Sequence, residues 1–216
     1  MDVKHSRGEG TGLIIAMTSY GGHMQPARGF EWEGVLRSAT CHKLFLKDSR
    51  QHWYHGGLTG FSHTLDETLA RIRELMTEWG ATRVMCLGSS MGGFGALMFG
   101  SLLRAERVIA ISPQVNLDPA WMAEIGDRRW EWKMAEIYWQ GYDTLDLLPM
   151  YENFSPPDTR ILFSSEDHLD YRHAQRLTTP GLVHGVPIPE SDHEIAYPLA
   201  RSGLLTQWAE EFAQAG

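Results

Sequence analysis

The apolar positions of this chain follow two rhythms. Short, nearly unbroken apolar runs recur at 13–18 (LIIAMT), 43–46 (KLFL), 83–87 (RVMCL), 107–111 (RVIAI), 160–164 (RILFS) and 182–188 (LVHGVPI). Runs of this length without polar alternation read as strands buried on both faces, as in a parallel sheet with helices above and below. Between them lie stretches of helical period. In 65–79, Leu65, Leu69, Ile72, Leu75, Met76 and Trp79 share one face, Thr64 with Glu67 forms a capping box, and Gly80 stops the helix. Residues 91–103 read as an almost wholly apolar, buried helix, and the last helix carries Leu204, Leu205, Trp208 and Phe212 on one side.

Strands alternating with helices predict an α/β fold: a three-layer α/β/α sandwich around a mostly parallel sheet of about six strands. The exception is 114–158, where Trp121, Trp130, Trp132 and Trp139 lie among many charges. This tryptophan-rich stretch reads as a helical insertion, a cap-like cover over a site within a single domain spanning 1–216. If it packs only on itself, Asp127, Arg128 and Arg129 beside Trp130 are solvated charge.

Composition narrows the picture little. The chain of 216 residues is long enough for one domain with a sizeable core. Its net charge of -8 disfavours nucleic acid and anionic membrane surfaces as partners. Cys41 and Cys86 lie in or beside apolar runs and read as two reduced thiols. No run is long enough for a membrane span or a secretory core, so the expected location is cytoplasmic.

The chemistry enters at Gly88-Ser89-Ser90-Met91-Gly92, a Gly-x-Ser-x-Gly pattern between a predicted strand and a predicted helix. The pattern alone is a weak signal; the strand–turn–helix context is what a nucleophile elbow requires. Gly88 and Gly92 supply the small residues such a turn needs, and Gly93 and Gly95 let the helix approach the sheet. A phosphate-binding loop would need a different glycine spacing and a following lysine. A serine nucleophile needs a base, and the base needs an orienting acid. Asp167 follows the strand at 160–164, and His193 follows the strand at 182–188. Asp170, Glu166 and Asp118 are rival carboxylates, Asp170 also fitting a first-turn acid of the next helix.

With Ser90, Asp167 and His193 in this order, residues 12–213 resemble the α/β-hydrolase fold superfamily. The resemblance implies acyl transfer: Ser90 attacks a carbonyl, His193 takes its proton, and Asp167 fixes the imidazole. It also implies an oxyanion hole made by the backbone N–H of Met91 and one from the loop after the first strand, at Tyr20 or Gly21. That loop reads Ser19-Tyr20-Gly21-Gly22-His23, a departure from the His-Gly-Gly of many relatives. Only about a dozen residues precede the first predicted strand, so a trimmed sheet without the two usual leading antiparallel strands is expected.

Asp48 and Arg50 follow a strand end on the face where open α/β sheets bind ligands, and either contacts substrate or belongs to a salt-bridged loop. Trp130 is the candidate aromatic contact from the insertion. His52 and His55 suggest a metal pair but single out no third ligand, so neither metal nor organic cofactor is expected. The expected substrate is a small carboxylic ester or thioester. Acyl transfer to another acceptor, release from a carrier, and ligand binding without catalysis are the alternatives.

Overall fold

A computed structural model describes residues 1–21, 29–153, 155–189 and 192–215. Its centre is a seven-stranded sheet in the order β1-β3-β2-β4-β5-β6-β7. The strands are β1 (Val3–Ser6), β2 (Gly12–Met17), β3 (His42–Leu46), β4 (Arg83–Ser89), β5 (Arg107–Ile111), β6 (Asp158–Ser164) and β7 (His184–Ile188). From β3 to β7 every pairing is parallel. The period of two along each strand divides the core. Leu13, Ile15 and Met17 of β2 belong to one cluster, with Cys86 and Val108; Ile14 and Ala16 belong to the other, with Met85, Leu87 and Ile109.

Helices cover both faces. The first face carries α1 (Leu65–Trp79), α2 (Met91–Leu102), α4 (Glu131–Gln140), α5 (Leu148–Asn153) and α6 (His168–Thr178). The opposite face carries α7 (Ala196–Ser202) and α8 (Leu204–Gln214), with Trp32, Val35 and Leu36 beside them. The start of α1 is built as its sequence suggests: Thr64 Oγ1 accepts the Glu67 N–H, while Glu67 accepts the N–H of His63, and Gly80 closes the helix at φ 72°. No helix of the described residues is long and apolar enough to cross a membrane.

The amino-terminal expectation needs correction. Val3–Ser6 forms an edge strand antiparallel to β3, pairing Val3 with Leu46 and Ser6 with Lys43, so the sheet has seven strands rather than six. Its periodicity is silent because only Val3 of the four is buried. Side-chain and loop bonds anchor it: Lys47 N–H donates to Asp2 O, and the Asp2 carboxylate accepts from Ser49 N, Ser49 Oγ and Thr59 N.

Residues 114–158 connect β5 to its parallel neighbour β6, ending on the first residue of β6. A single helix could make this crossover; here α4, α5 and the short α3 (Pro119–Ile125) do. The four tryptophans serve different ends. Trp121 meets the buried His173 ring edge-on, while Trp132 and Trp139 are 68% and 87% exposed. Trp130 turns inward, as described below.

Candidate active site

Strand β4 runs directly into helix α2, and the reversal falls on Ser90, at φ 50°, ψ −118°. A serine rarely adopts such a backbone, so the turn is strained and held by its surroundings. The surroundings are glycines in close contact. A Cβ on Gly88 would lie 2.1 Å from Gly92 O, and one on Gly92 would lie 2.5 Å from Met17 O. The small residues on either side of the serine are therefore steric requirements. The Ser90 N–H donates to Ile111 O, which ties the turn to β5. Met91 opens α2, and its N–H is among those at a helix start that lack an intrahelical acceptor.

Ser90 Oγ lies 3.1 Å from His193 Nε2, and His193 Nδ1 lies 2.8 Å from a carboxylate oxygen. That oxygen is Oδ1 of Asp170. A carboxylate only accepts, so Nδ1 carries the proton and Nε2 is left to accept from Ser90. The expectation for Asp167 is corrected here. Asp167 caps α6, accepting the Leu169 and Asp170 N–H groups through Oδ1. Asp170, one helical turn further, is 1% exposed and meets the imidazole. The two aspartates divide the tasks of helix cap and imidazole partner. The capping signal was legible, since an aspartate three residues before a first-turn acid is how many helices begin.

A charged chain continues behind Asp170, and sequence reasoning missed it. Arg129 Nη1 donates to Asp170 Oδ1 at 3.0 Å and lies 3.2 Å from His193 Nδ1. Its Nε and Nη2 bind the Asp127 carboxylate at 2.8 to 3.2 Å. Asp127 also meets His173 Nε2 at 3.0 Å, while His173 Nδ1 accepts the Val115 N–H. The accepted N–H fixes His173 as the neutral tautomer protonated at Nε2. Burial holds the His173 imidazole below its usual range. Burial works to raise the Asp170 and Asp127 carboxyls, but the hydrogen bonds from His193, His173 and Arg129, with the guanidinium charge, outweigh it, holding both below the ordinary aspartate range. Asp127 is fully buried and Arg129 largely so; only Arg128 is exposed. The solvated-charge alternative fails for Asp127 and Arg129, whose partners lie more than 40 residues away in sequence, on α6.

The loop after β2 closes the other side. Trp32 Nε1 donates to Met17 O, Tyr54 OH to Thr18 O, and Thr18 N–H to Leu46 O. Ser19 gives both its N–H and its hydroxyl to Glu31, whose carboxyl burial pushes up. With the Ser19 amide occupied, Tyr20 and Gly21 are the remaining described amides of this loop for an oxyanion. Gly22 and His23, part of the predicted loop, lie outside the described residues. The Tyr20 ring contacts Trp130 at 4.0 Å between centroids. Together Tyr20, Trp130, Ser90, Ser112 and His193 line a hollow of about 100 Å³. Through Ser19, Ser89, Glu194 and Ala196 it adjoins a larger one of about 340 Å³, reaching Glu31, Trp32 and Tyr197.

Asp48 and Arg50 line neither hollow. Asp48 is buried and accepts four backbone N–H groups, from Arg50, Gln51, His52 and Tyr54. It organises a loop in which Gln51, Trp53 and Tyr54 all have positive φ. Its carboxyl is pushed up by burial despite those bonds. Arg50 is exposed. His52 and His55 join this loop to the insertion: His52 meets Tyr142 OH and Glu136, and His55 stacks on Tyr142 while its Nε2 donates to Thr144 O.

Strand order, the strained serine turn and the imidazole beneath it define the class: this chain has the α/β-hydrolase fold. No protein-family model matches its sequence, and no curated protein matches it. Solved structures do. The capsule O-acetyltransferase of Neisseria meningitidis serogroup A aligns over 98% of this chain and 90% of its own, with a TM-score of 0.65 at 16% identity. An α/β hydrolase from a Medee basin deep-sea metagenome library aligns over 97% and 92%, with a TM-score of 0.62 at 15% identity. A thermostable carboxylesterase cloned from a metagenomic library aligns over 98% and 84%, with a TM-score of 0.65 at 15% identity. The likeness is one of fold, shared between hydrolases and an acyltransferase.

Proposed function

We propose that the protein is a serine-dependent acyl-transfer enzyme that cleaves a small carboxylic ester or thioester. The observation carrying this reading is the line of contacts from Ser90 Oγ through His193 to Asp170, 3.1 and 2.8 Å long, at a strained turn. His193 Nε2 takes the Ser90 proton as Oγ attacks the carbonyl carbon. The resulting oxyanion lies against the N–H of Met91 and that of Tyr20 or Gly21. Asp170 holds the imidazole tautomer and stabilises the imidazolium. Collapse expels the alcohol or thiol, which leaves with the proton from Nε2. Water then attacks the acyl-enzyme and gives its proton to Nε2, and collapse releases the acid as Nε2 returns that proton to Ser90 Oγ.

The hollow of about 100 Å³ suits a short acyl group, with Trp130 and Tyr20 as its aromatic wall. In this reading residues 114–158 act as a cap, since they bring Trp130 to the serine. A second reading keeps the same residues and passes the acyl group to an alcohol. The adjoining hollow of about 340 Å³ favours it, offering space for an acceptor beside Ser89 and Glu194, the neighbours of Ser90 and His193. The O-acetyltransferase among the similar structures is consistent with it.

The test is hydrolysis of short p-nitrophenyl esters and of acyl thioesters, with and without added alcohols, by wild type and Ser90→Ala. A fluorophosphonate probe should label wild type and not the variant. Equal hydrolysis by both proteins would overturn the nucleophile assignment. Product partitioning towards the acyl-alcohol separates transferase from hydrolase.

A further inference from the structure

We propose that Arg129, carried by the connection between β5 and β6, is a positioning residue that clamps Asp170 and so holds the carboxylate oxygen that orients the His193 imidazole. The inference rests on the reading of Ser90, His193 and Asp170 as the catalytic set.

Asp170 Oδ1 is shared. It accepts His193 Nδ1–H at 2.8 Å and Arg129 Nη1–H at 3.0 Å. In the tautomer required for catalysis, Nδ1 has no lone pair for the guanidinium. The 3.2 Å approach of Nη1 to Nδ1 is therefore donor facing donor, imposed by the common acceptor. While the imidazole is neutral this costs little. Once it takes the serine proton, two cations lean on one carboxylate oxygen. Arg129 thereby leans on the imidazolium that Asp170 stabilises, while its grip keeps Oδ1 in place to receive Nδ1–H.

The charge count explains why such a cation belongs here. Asp170 and Asp127 are both buried, and Arg129 binds both. With Arg129 the three groups sum to one negative charge; without it they sum to two. The other titratable groups around the imidazole are Ser90 of the elbow, Tyr20 after β2, Glu194 and Asp192 on its own loop, Glu31 across the larger hollow, and His173 behind Asp127. Arg129 is the cation among these described groups. Its place is fixed from behind: Asp127 receives its Nε, Nη2 and backbone N–H, and His173 braces Asp127.

The experiment compares wild type, Arg129→Lys, Arg129→Met and the double variant Asp127→Asn/Arg129→Met. Each is checked for folding by circular dichroism. The readouts are kcat and KM taken separately on a p-nitrophenyl ester, and the proton NMR signal of the His193 Nδ1–H held by Asp170, assigned by its loss in His193→Gln. In Arg129→Met kcat should fall by roughly tenfold or more with KM little changed, and the Nδ1–H signal should move or broaden. The double variant removes the buried pair as a unit, so it guards against misfolding of the single one; it should show the same loss of kcat and the same change of signal. Arg129→Lys should recover part of kcat and bring the signal back towards its wild-type position. Folded variants lacking Arg129 with wild-type kcat and an unmoved Nδ1–H signal would overturn the proposal. Failure of the serine reading is separate: the fluorophosphonate would not label Ser90, while the NMR signal would still report on Arg129.

Discussion

Asp170→Ala and Asp167→Ala are predicted to have opposite consequences, though only two residues separate the sites. Removing Asp170 takes away the acceptor of His193 Nδ1–H and leaves the Arg129 guanidinium 3.2 Å from that nitrogen. At that distance two unit charges in a medium of effective dielectric 20 repel by ~5 kcal/mol, an upper bound before Arg129 relaxes towards Asp127. On the proposed reading Asp170 is a triad acid, and loss of a triad acid in serine enzymes costs ~10⁴ in rate, which is about 5.5 kcal/mol of barrier. A fall in kcat of roughly 10³ to 10⁴ is therefore expected for Asp170→Ala. Asp167→Ala instead loses the two cap bonds to Leu169 and Asp170 N–H. It should cost about 1 kcal/mol of stability and leave kcat within a few-fold of wild type. The assay is steady-state ester hydrolysis with thermal unfolding of the same preparations. An Asp170→Ala protein that is folded and retains a tenth of wild-type kcat, or an Asp167→Ala protein that loses as much as Asp170→Ala, would refute the division of roles.

Acidification should weaken the fold in two stages. The folded His173 binds a proton less readily than the unfolded one, so unfolding takes up a proton just below 6.5 and stability falls with falling pH there. Asp127 and Asp170, held below 3.8 in the fold, add a second loss as the pH drops under that value. Calorimetry from pH 8 to 3 checks this, and a flat Tm between pH 7 and 4.5 contradicts the first stage. Gly88→Ala puts a Cβ 2.1 Å from Gly92 O and should cost ~3 kcal/mol or more, read as loss of soluble protein or a large drop in Tm. Cys86, fully buried with its thiol pushed up to about 12, and the buried Cys41 should both resist a thiol reagent until denaturant is added. Rapid labelling of either in native protein would contradict that burial.

What the sequence made legible follows from range. The apolar run LIIAM declares a strand buried on both sides, and its residues do alternate between two cores. Gly88 and Gly92 declare the elbow because the contacts that need them are local. The edge strand Val3–Ser6 was invisible because its pairing with β3 spans some 40 residues and buries one side chain. The Asp167–Asp170 exchange was half visible: both residues were candidates, but only the first turn of α6 decides which carboxylate reaches the imidazole. Asp127 and Arg129 look like surface charge because their partners, Asp170 and His173, are distant in sequence. Asp48, at a strand end, reads equally as ligand contact or loop anchor until its four N–H donors are seen.

Arg129 and Trp130 are neighbours in sequence with separate duties: one grips Asp170, the other walls the hollow over Ser90. Both ride on the β5–β6 connection, so on the proposed reading the shape of the hollow and the setting of the imidazole are inherited together. A chimera that exchanged residues 114–158 for another connection, to widen the range of esters, would also strip the counter-cation from Asp170. The lining of the hollow and the hold on Asp170 would change in a single step. Retuning one alone would require Asp127 and Arg129 to be carried into the new segment as a unit.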